Sequence, residues 1–192
     1  MSRISPISLM RMISVVVGIV WAMNAFAAEL ESRVLTHYIP QDSLETAIRT
    51  EDWTEVPINL KGGTRKGDTI RIWAGGSIDR GNGDQPSQFV AGPEGESARP
   101  SAAGEGDASK AALSSQPEHA YALLFKTDNS GIKKCAVPGK PLEITVTKDK
   151  EKLFVGFNDD KGRFYDNHLG KGRRHELDPL WVRIEIVRTI VD

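Results

Sequence analysis

From Trp53 onward the apolar positions change to a period of two, the spacing at which successive side chains fall on opposite faces of a strand. Trp53, Val56, Ile58 and Leu60 begin the pattern, KGGTRKGD interrupts it with turn chemistry, and Thr69-Ile70-Arg71-Ile72-Trp73-Ala74 alternates cleanly. Further strands are predicted over 120–126, 142–147, 152–158 and 181–191, separated by DNSG, VPGK and KDKEK turns. Trp73 and Trp181 fall within strands and are expected in the core, while Trp53 borders the segment before them. Short strands with turn residues at every junction, and no long amphipathic helix, predict an all-β fold, a small antiparallel β-sandwich or jelly roll.

The chain before Trp53 reads differently. Residues 29–52 are polar and mixed, and their one helical pattern is Asp42-Ser43-Leu44-Glu45-Thr46-Ala47-Ile48. Asp42 or Ser43 would cap it, with Leu44, Ala47 and Ile48 on one face, so the segment reads as an N-terminal extension. Residues 1–28 have the form of an export signal: Arg3 and Arg11 supply charge, 13–21 form an apolar core, and Ala25-Phe26-Ala27 is a cleavage site. That core is short for a membrane span, and no Cys stands at the cleavage point, so a secreted or periplasmic protein without a membrane anchor is expected. The remaining domain is 53–192. Within it, 75–112 is rich in Gly, Pro, Ser and Ala, and its second half reads as a flexible surface insertion.

Charge narrows the partners. The chain has 25 Lys and Arg against 26 Asp and Glu, and losing Arg3 and Arg11 with the signal moves its net charge from −1 to −3. There is no basic field for nucleic acid and no polybasic anchor for anionic lipid. A single Cys, Cys135, allows no internal disulfide, so stability must come from a core, a metal or oligomerisation. The mature chain, about 165 residues, is long enough for one domain with a real core.

The candidate chemistry sits in LFVGFNDDKGRFYDN, residues 153–167, where an apolar strand runs into a loop carrying Asp159, Asp160, Asp166 and Asn167. Carboxylates, amide oxygens and free carbonyls suit a hard cation such as calcium, which takes about 6 to 8 oxygen ligands. The same residues also occur in solvated turns for backbone reasons alone. Phe164 and Tyr165 flank the loop, and alternation sends one of them into the core. His168 and His175, with His119 or Cys135, match no zinc spacing. Three aspartates in one loop do not supply the opposed walls of a glycosidase cleft, and no nucleophile motif is present, so no enzyme is expected.

GDTIRIWAGGSIDRG, GPEGESARP, HAYALLFKTDNSG and LFVGFNDDKGRFYDN followed by WVRIEI resemble, in order, the segments of the PA-I type calcium-dependent galactose-binding lectin family. The resemblance spans about 53–187 and implies a jelly roll of the galactose-binding-domain-like kind with one calcium held by two loops. It implies Asp159 as the first carboxylate ligand, and Asp166 and Asn167 as an adjacent pair that reads Asn-Asn in the family. Backbone-carbonyl ligands fall on Arg163 and Arg80. The family's sugar-gripping His and Gln correspond to Arg99 and Ala102, and Arg99 would suit an acidic glycan as well as a hydroxyl. His168 would rim the sugar site. KGRRHE, residues 171–176, looks like an insertion relative to the family.

The expectation is a calcium-dependent carbohydrate-binding protein for a galactose-like or acidic glycan, contacted through Arg99, Asp159, Asp166 and His168. A homo-oligomer would give weak sites avidity. The alternative is an envelope protein-binding or structural module that keeps the fold without galactose binding, motivated by Arg99, Ala102, the insertion and the extension.

Overall fold

Alternation decides which face of each strand is buried. The computed structural model describes residues 31–80, 90–95, 111–136, 139–169 and 178–190. Its strands are β1 (Glu31–Tyr38), β2 (Thr54–Val56), β3 (Thr69–Gly75), β4 (Ile78–Asp79), β5 (Val90–Ala91), β6 (Leu123–Thr127), β7 (Lys133–Lys134), β8 (Leu142–Thr145), β9 (Leu153–Phe157), β10 (His168–Leu169) and β11 (Trp181–Ile190). Helix α1 spans Gln41–Arg49, and short 3-10 turns cover Pro117–His119 and Phe164–Asp166. The chain divides into a unit Val34–Arg188, which carries all that follows, and a unit of Met1–Arg33 with Thr189–Asp192, described only at 31–33 and 189–190. The signal at 1–28, the second half of the 75–112 region up to Lys110, and the 171–176 insertion lie outside the described residues.

In β3, Ile70, Ile72 and Ala74 are buried and their neighbours are not. Antiparallel pairing sets Ile72 opposite Ile184, Ile70 opposite Ile186 and Ala74 opposite Val182 of β11, while Ile144 of β8 faces Ile70 from the other side. The sheet order is β1-β11-β3-β8. A second sheet, β2-β9-β6-β7, puts Phe157 opposite Leu123, Val155 opposite Phe125 and Leu153 opposite Val56. The inward side chains of both sheets belong to one buried cluster, so the sheets face each other as an antiparallel β-sandwich. Each such Ile, Leu, Val or Phe contributes about 1.5–3 kcal/mol by leaving water.

The same alternation corrects the expectation for two tryptophans. Trp73 lies between Ile72 and Ala74 and so turns to the outer face, where the Arg183 guanidinium stacks 4.2 Å from its ring. Trp181 is 44% exposed, its indole lying on Gly75, where a Cβ would come within 2.7 Å of the ring. Bulk suggested the core for both, but strand parity overrides bulk. Trp53 is half-buried beneath the Lys126 ammonium, 4.4 Å from its ring.

The segment read as an extension is built into the domain. β1 borders β11, and the Ile39 amide donates to the Val182 carbonyl at 3.1 Å. Leu44, Ala47 and Ile48 of α1 are wholly buried in the common core, the face that the helical spacing predicts. The helix is capped by Pro40, ahead of the expected Asp42 or Ser43, with no side-chain cap, so Asp42 and Ser43 sit in the first turn. Among the described residues no helix is long and apolar enough to cross a membrane.

One end of the sandwich, where β3 begins and β11 finishes, is tied by buried acids. Arg188 grips Asp68 through Nε to Oδ1 at 2.9 Å and Nη2 to Oδ2 at 2.7 Å. Glu151 accepts from the Thr147 amide, the Thr147 hydroxyl and the Lys148 amide. Burial pushes the Asp68 carboxyl up, but the Arg188 guanidinium and the Arg65 amide outweigh it and hold it below its ordinary value. Burial acts likewise on Glu151, where donors from Thr127, Thr147 and Lys148 prevail and the net direction is again down. A depressed carboxyl adds stability that is complete above its unfolded value, about pH 4, and is lost as the pH falls through the folded one. Denaturant melts are therefore expected to lose stability steeply below about pH 4. Asp68→Asn should flatten that slope; an unchanged slope would assign the acid sensitivity to other groups.

Candidate functional site: an oxygen-lined loop cluster

At the opposite end, β9 stops at Phe157 and hands the chain to Asn158, whose side chain is buried and fully used. Its Oδ1 accepts from the amides of Leu113 (3.1 Å) and Ser114 (3.0 Å), and its Nδ2 donates to the carbonyls of Ser114 (2.9 Å) and His119 (3.0 Å). One asparagine thus pins the 111–119 segment against the end of the sheet. His119 braces the same segment, its Nδ1 lying 2.7 Å from the Ser114 hydroxyl oxygen. Burial, the largest influence, pushes its imidazole below the ordinary value; Glu118 opposes and Lys134 adds to the depression. Burial also pushes the Cys135 thiol up to about 12, so without a metal it stays a protonated thiol.

Asp159 and Asp160 follow, both buried. Asp159 Oδ1 accepts the Asp160 amide at 2.7 Å, and its carbonyl accepts the Ala112 amide at 3.0 Å. Asp160 bridges to Ala111 and takes the Arg163 amide at 3.1 Å, closing a turn through Gly162, whose φ of +79° a residue with a Cβ rarely adopts. In the 3-10 turn Phe164 points into the protein and Tyr165 out, 71% exposed, which decides the flanking pair. The chain then enters β10.

β10 is what joins the two loops. His168 pairs with Asp79 and Leu169 with Ile78, so one step further the register sets Asn167 across from Arg80. Arg80 is buried, its guanidinium 3.8 Å from the centre of the Tyr121 ring. The Tyr121 amide in turn donates to the Asn158 carbonyl at 3.0 Å, one residue before Asp159. Arg80, Asp159 and Asn167 therefore lie toward one end of the sandwich, with the exposed Arg163 on the loop that carries Asp159 and half-buried His168 following Asn167. Asp166 has its backbone in the 3-10 turn, and its side chain lies outside what is described; Arg99 and Ala102, with His175, lie outside the described residues.

Asn167 is the most constrained member. It is wholly buried, and its Nδ2 donates to the Ile48 carbonyl of α1 at 2.7 Å. A carbonyl can only accept, so the amide nitrogen must face Ile48 and the oxygen must face the other way. That Oδ1 is buried without a hydrogen-bond partner among the described residues. Leaving such an atom unmet costs about 1–3 kcal/mol. A cation at this position would satisfy it, and an amide oxygen is a hard donor of the kind such cations take. No group of three or more His, Cys, Asp or Glu forms a metal-type cluster among the described residues, so any such site must also draw on amide and carbonyl oxygens.

Glu51, which follows α1, has no sequence signal and emerges only here, its carboxylate accepting the Gly162 amide. Asn158 did leave a trace: an Asn set directly after the apolar run LFVGF is a polar group at the end of a buried strand.

In class, the chain is an all-β sandwich with an oxygen-lined loop cluster at one end. No protein-family model matches it, and no curated protein does. Among solved structures it is similar to one described as the EclA N-terminal domain, a PllA-like lectin. The identity is 16% and the TM-score 0.39, over 81% of this chain and 97% of that one. A likeness this distant carries no argument about the ligand of the present chain.

Proposed function

We propose that this chain is an exported, non-enzymatic, lectin-like protein that binds glycans through a calcium ion. The single observation that carries the reading is the buried Asn167 Oδ1, turned away from Ile48 and without a hydrogen-bond partner among the described residues. Asp159, Asp166 and Asn167 would supply side-chain oxygens and Arg80 and Arg163 carbonyls. Bound calcium supplies positions at which two neighbouring sugar hydroxyls can replace water.

The chain's own residues do the rest. The Asp159 carboxylate accepts hydrogen bonds from sugar hydroxyls, which fixes their orientation. Tyr165, exposed beside the ligand positions, offers an aromatic face to the apolar side of a pyranose. His168 rims the same end, and Arg99, by the resemblance, would add a planar cation favouring a uronic acid or another acidic sugar over plain galactose.

Calorimetric titration of the mature protein tests the ion, and a glycan array with calcium or with chelator tests the sugar. Calcium at about a hundred times its Kd is expected to add about 2.7 kcal/mol of stability. Glycan signals are expected only with calcium present. An array equally blank in both conditions would remove the sugar from the reading and leave only the ion.

A further inference from the structure

Three contacts join α1 and the residues after it to the loop that carries the ligand oxygens. The Ile48 carbonyl takes the Asn167 Nδ2 at 2.7 Å, Arg49 Nη2 donates to the Tyr165 carbonyl at 3.4 Å, and the Glu51 carboxylate takes the Gly162 amide. Each reaches more than a hundred residues along the chain. They touch the loop at its start, in its 3-10 turn and at its end.

The physics of a helix end explains why this segment can do so. The last four carbonyls of a helix have no intrahelical partner. Ile48 lies in the last turn of α1, and Asn167 satisfies its carbonyl while being fixed in orientation by it. The same end carries the negative pole of the helix dipole, which favours a cation nearby. Leu44, Ala47 and Ile48 anchor α1 in the core, so the Ile48 and Arg49 contacts come from a rigid element and Glu51 follows two residues after its end.

We propose that α1 and Glu51 form a latch that pre-sets the 160–167 loop for its cation, with Glu51 as a positioning residue and Ile48 as the group that aims Asn167 Oδ1. The latch deepens the calcium reading and rests on it. Glu51 acts through the Gly162 amide: its grip holds the tight turn after Asp160, and the carbonyl of Arg163 and the 3-10 turn follow from that turn. Removing the grip leaves the ligands present but unordered, so the ion must bear the cost of ordering them.

Two variants and two readouts separate this from charge alone. Glu51→Ala is expected to bind calcium about 10- to 100-fold more weakly by calorimetry, the range for losing an outer-shell partner. Glu51→Gln keeps an acceptor oxygen without the charge and is expected to restore most of the affinity. Hydrogen exchange without calcium should show faster exchange of the amides at 160–167 in Glu51→Ala and near wild-type exchange in Glu51→Gln. The latch is overturned if Glu51→Ala binds as wild type does, if Glu51→Gln is as weak as Glu51→Ala, or if exchange of the loop is unchanged. Failure of wild-type protein to take calcium sinks the ion reading instead, and the exchange experiment still decides whether Glu51 orders the loop.

Discussion

Asp159→Ala is expected to abolish the calcium-dependent rise in melting temperature and, with it, glycan binding. Asp159 is buried, and in the proposed site it would be a charged ligand. The affinity change should exceed the range of about 10–100-fold that outer-shell losses produce, because a first ligand and its charge both go. Alanine also removes the Oδ1 that takes the Asp160 amide at 2.7 Å, so some loss of apo stability will accompany it. Asp159→Asn separates the two effects. It keeps an oxygen for the Asp160 amide and removes the charge, so its apo melting temperature should stay near wild type while the response to calcium falls. Calorimetry beside thermal melts reads both; full calcium affinity in either variant would place the ion elsewhere.

Ile48→Ala is the second large effect, and it concerns the fold. Ile48 is completely buried in the common core, and truncation leaves a cavity that the sheets can only partly close. Such truncations cost about 2–5 kcal/mol, which for a domain of this size lowers the melting temperature by about 4–20 °C. Leu44→Ala should behave alike. Glu45→Ala is the control: its ion pair with Arg49 is exposed, spans 3.3 Å and should be worth no more than about 0.5 kcal/mol. A dispensable extension would instead give Ile48→Ala the melting curve of wild type. Calcium binding by Ile48→Ala adds a second reading, since the carbonyl that holds Asn167 stays in place while the helix under it loosens.

The contrast between these two residues bears on what a sequence reveals. Asp159 is legible at once, because an Asp-rich loop after an apolar strand is a local signal and a resemblance in the same stretch implies a ligand role for it. Ile48 was visible only as one of three apolar positions on a helical face. The helix that carries it packs on β2, β9, β10 and the 3-10 turn, far along the chain, and no local pattern names them. β1 was missed for a related reason. It is an edge strand whose Val34, Leu35 and Tyr38 are exposed, so it shows none of the alternation that a half-buried strand requires. β4, β5, β7 and β10 are two residues each, too short for any period to register. Trp73 and Trp181 erred in the opposite direction, since hydrophobic bulk pointed inward where strand parity pointed out.

Sequence alone therefore determined what short-range chemistry can carry: the alternating strands, the all-β class, the apolar face of α1 and the oxygen-rich character of the loop. Tertiary structure decided which of those oxygens can act together. Asn167 and Arg80 become neighbours only through the pairing of β10 with β4, and Asn167 Oδ1 is aimed only because Ile48, 119 residues earlier, takes the other end of its amide. The physical reason is that period and turn propensity are properties of a few adjacent residues, whereas the direction of a buried dipole is set by whichever distant group completes its hydrogen bond.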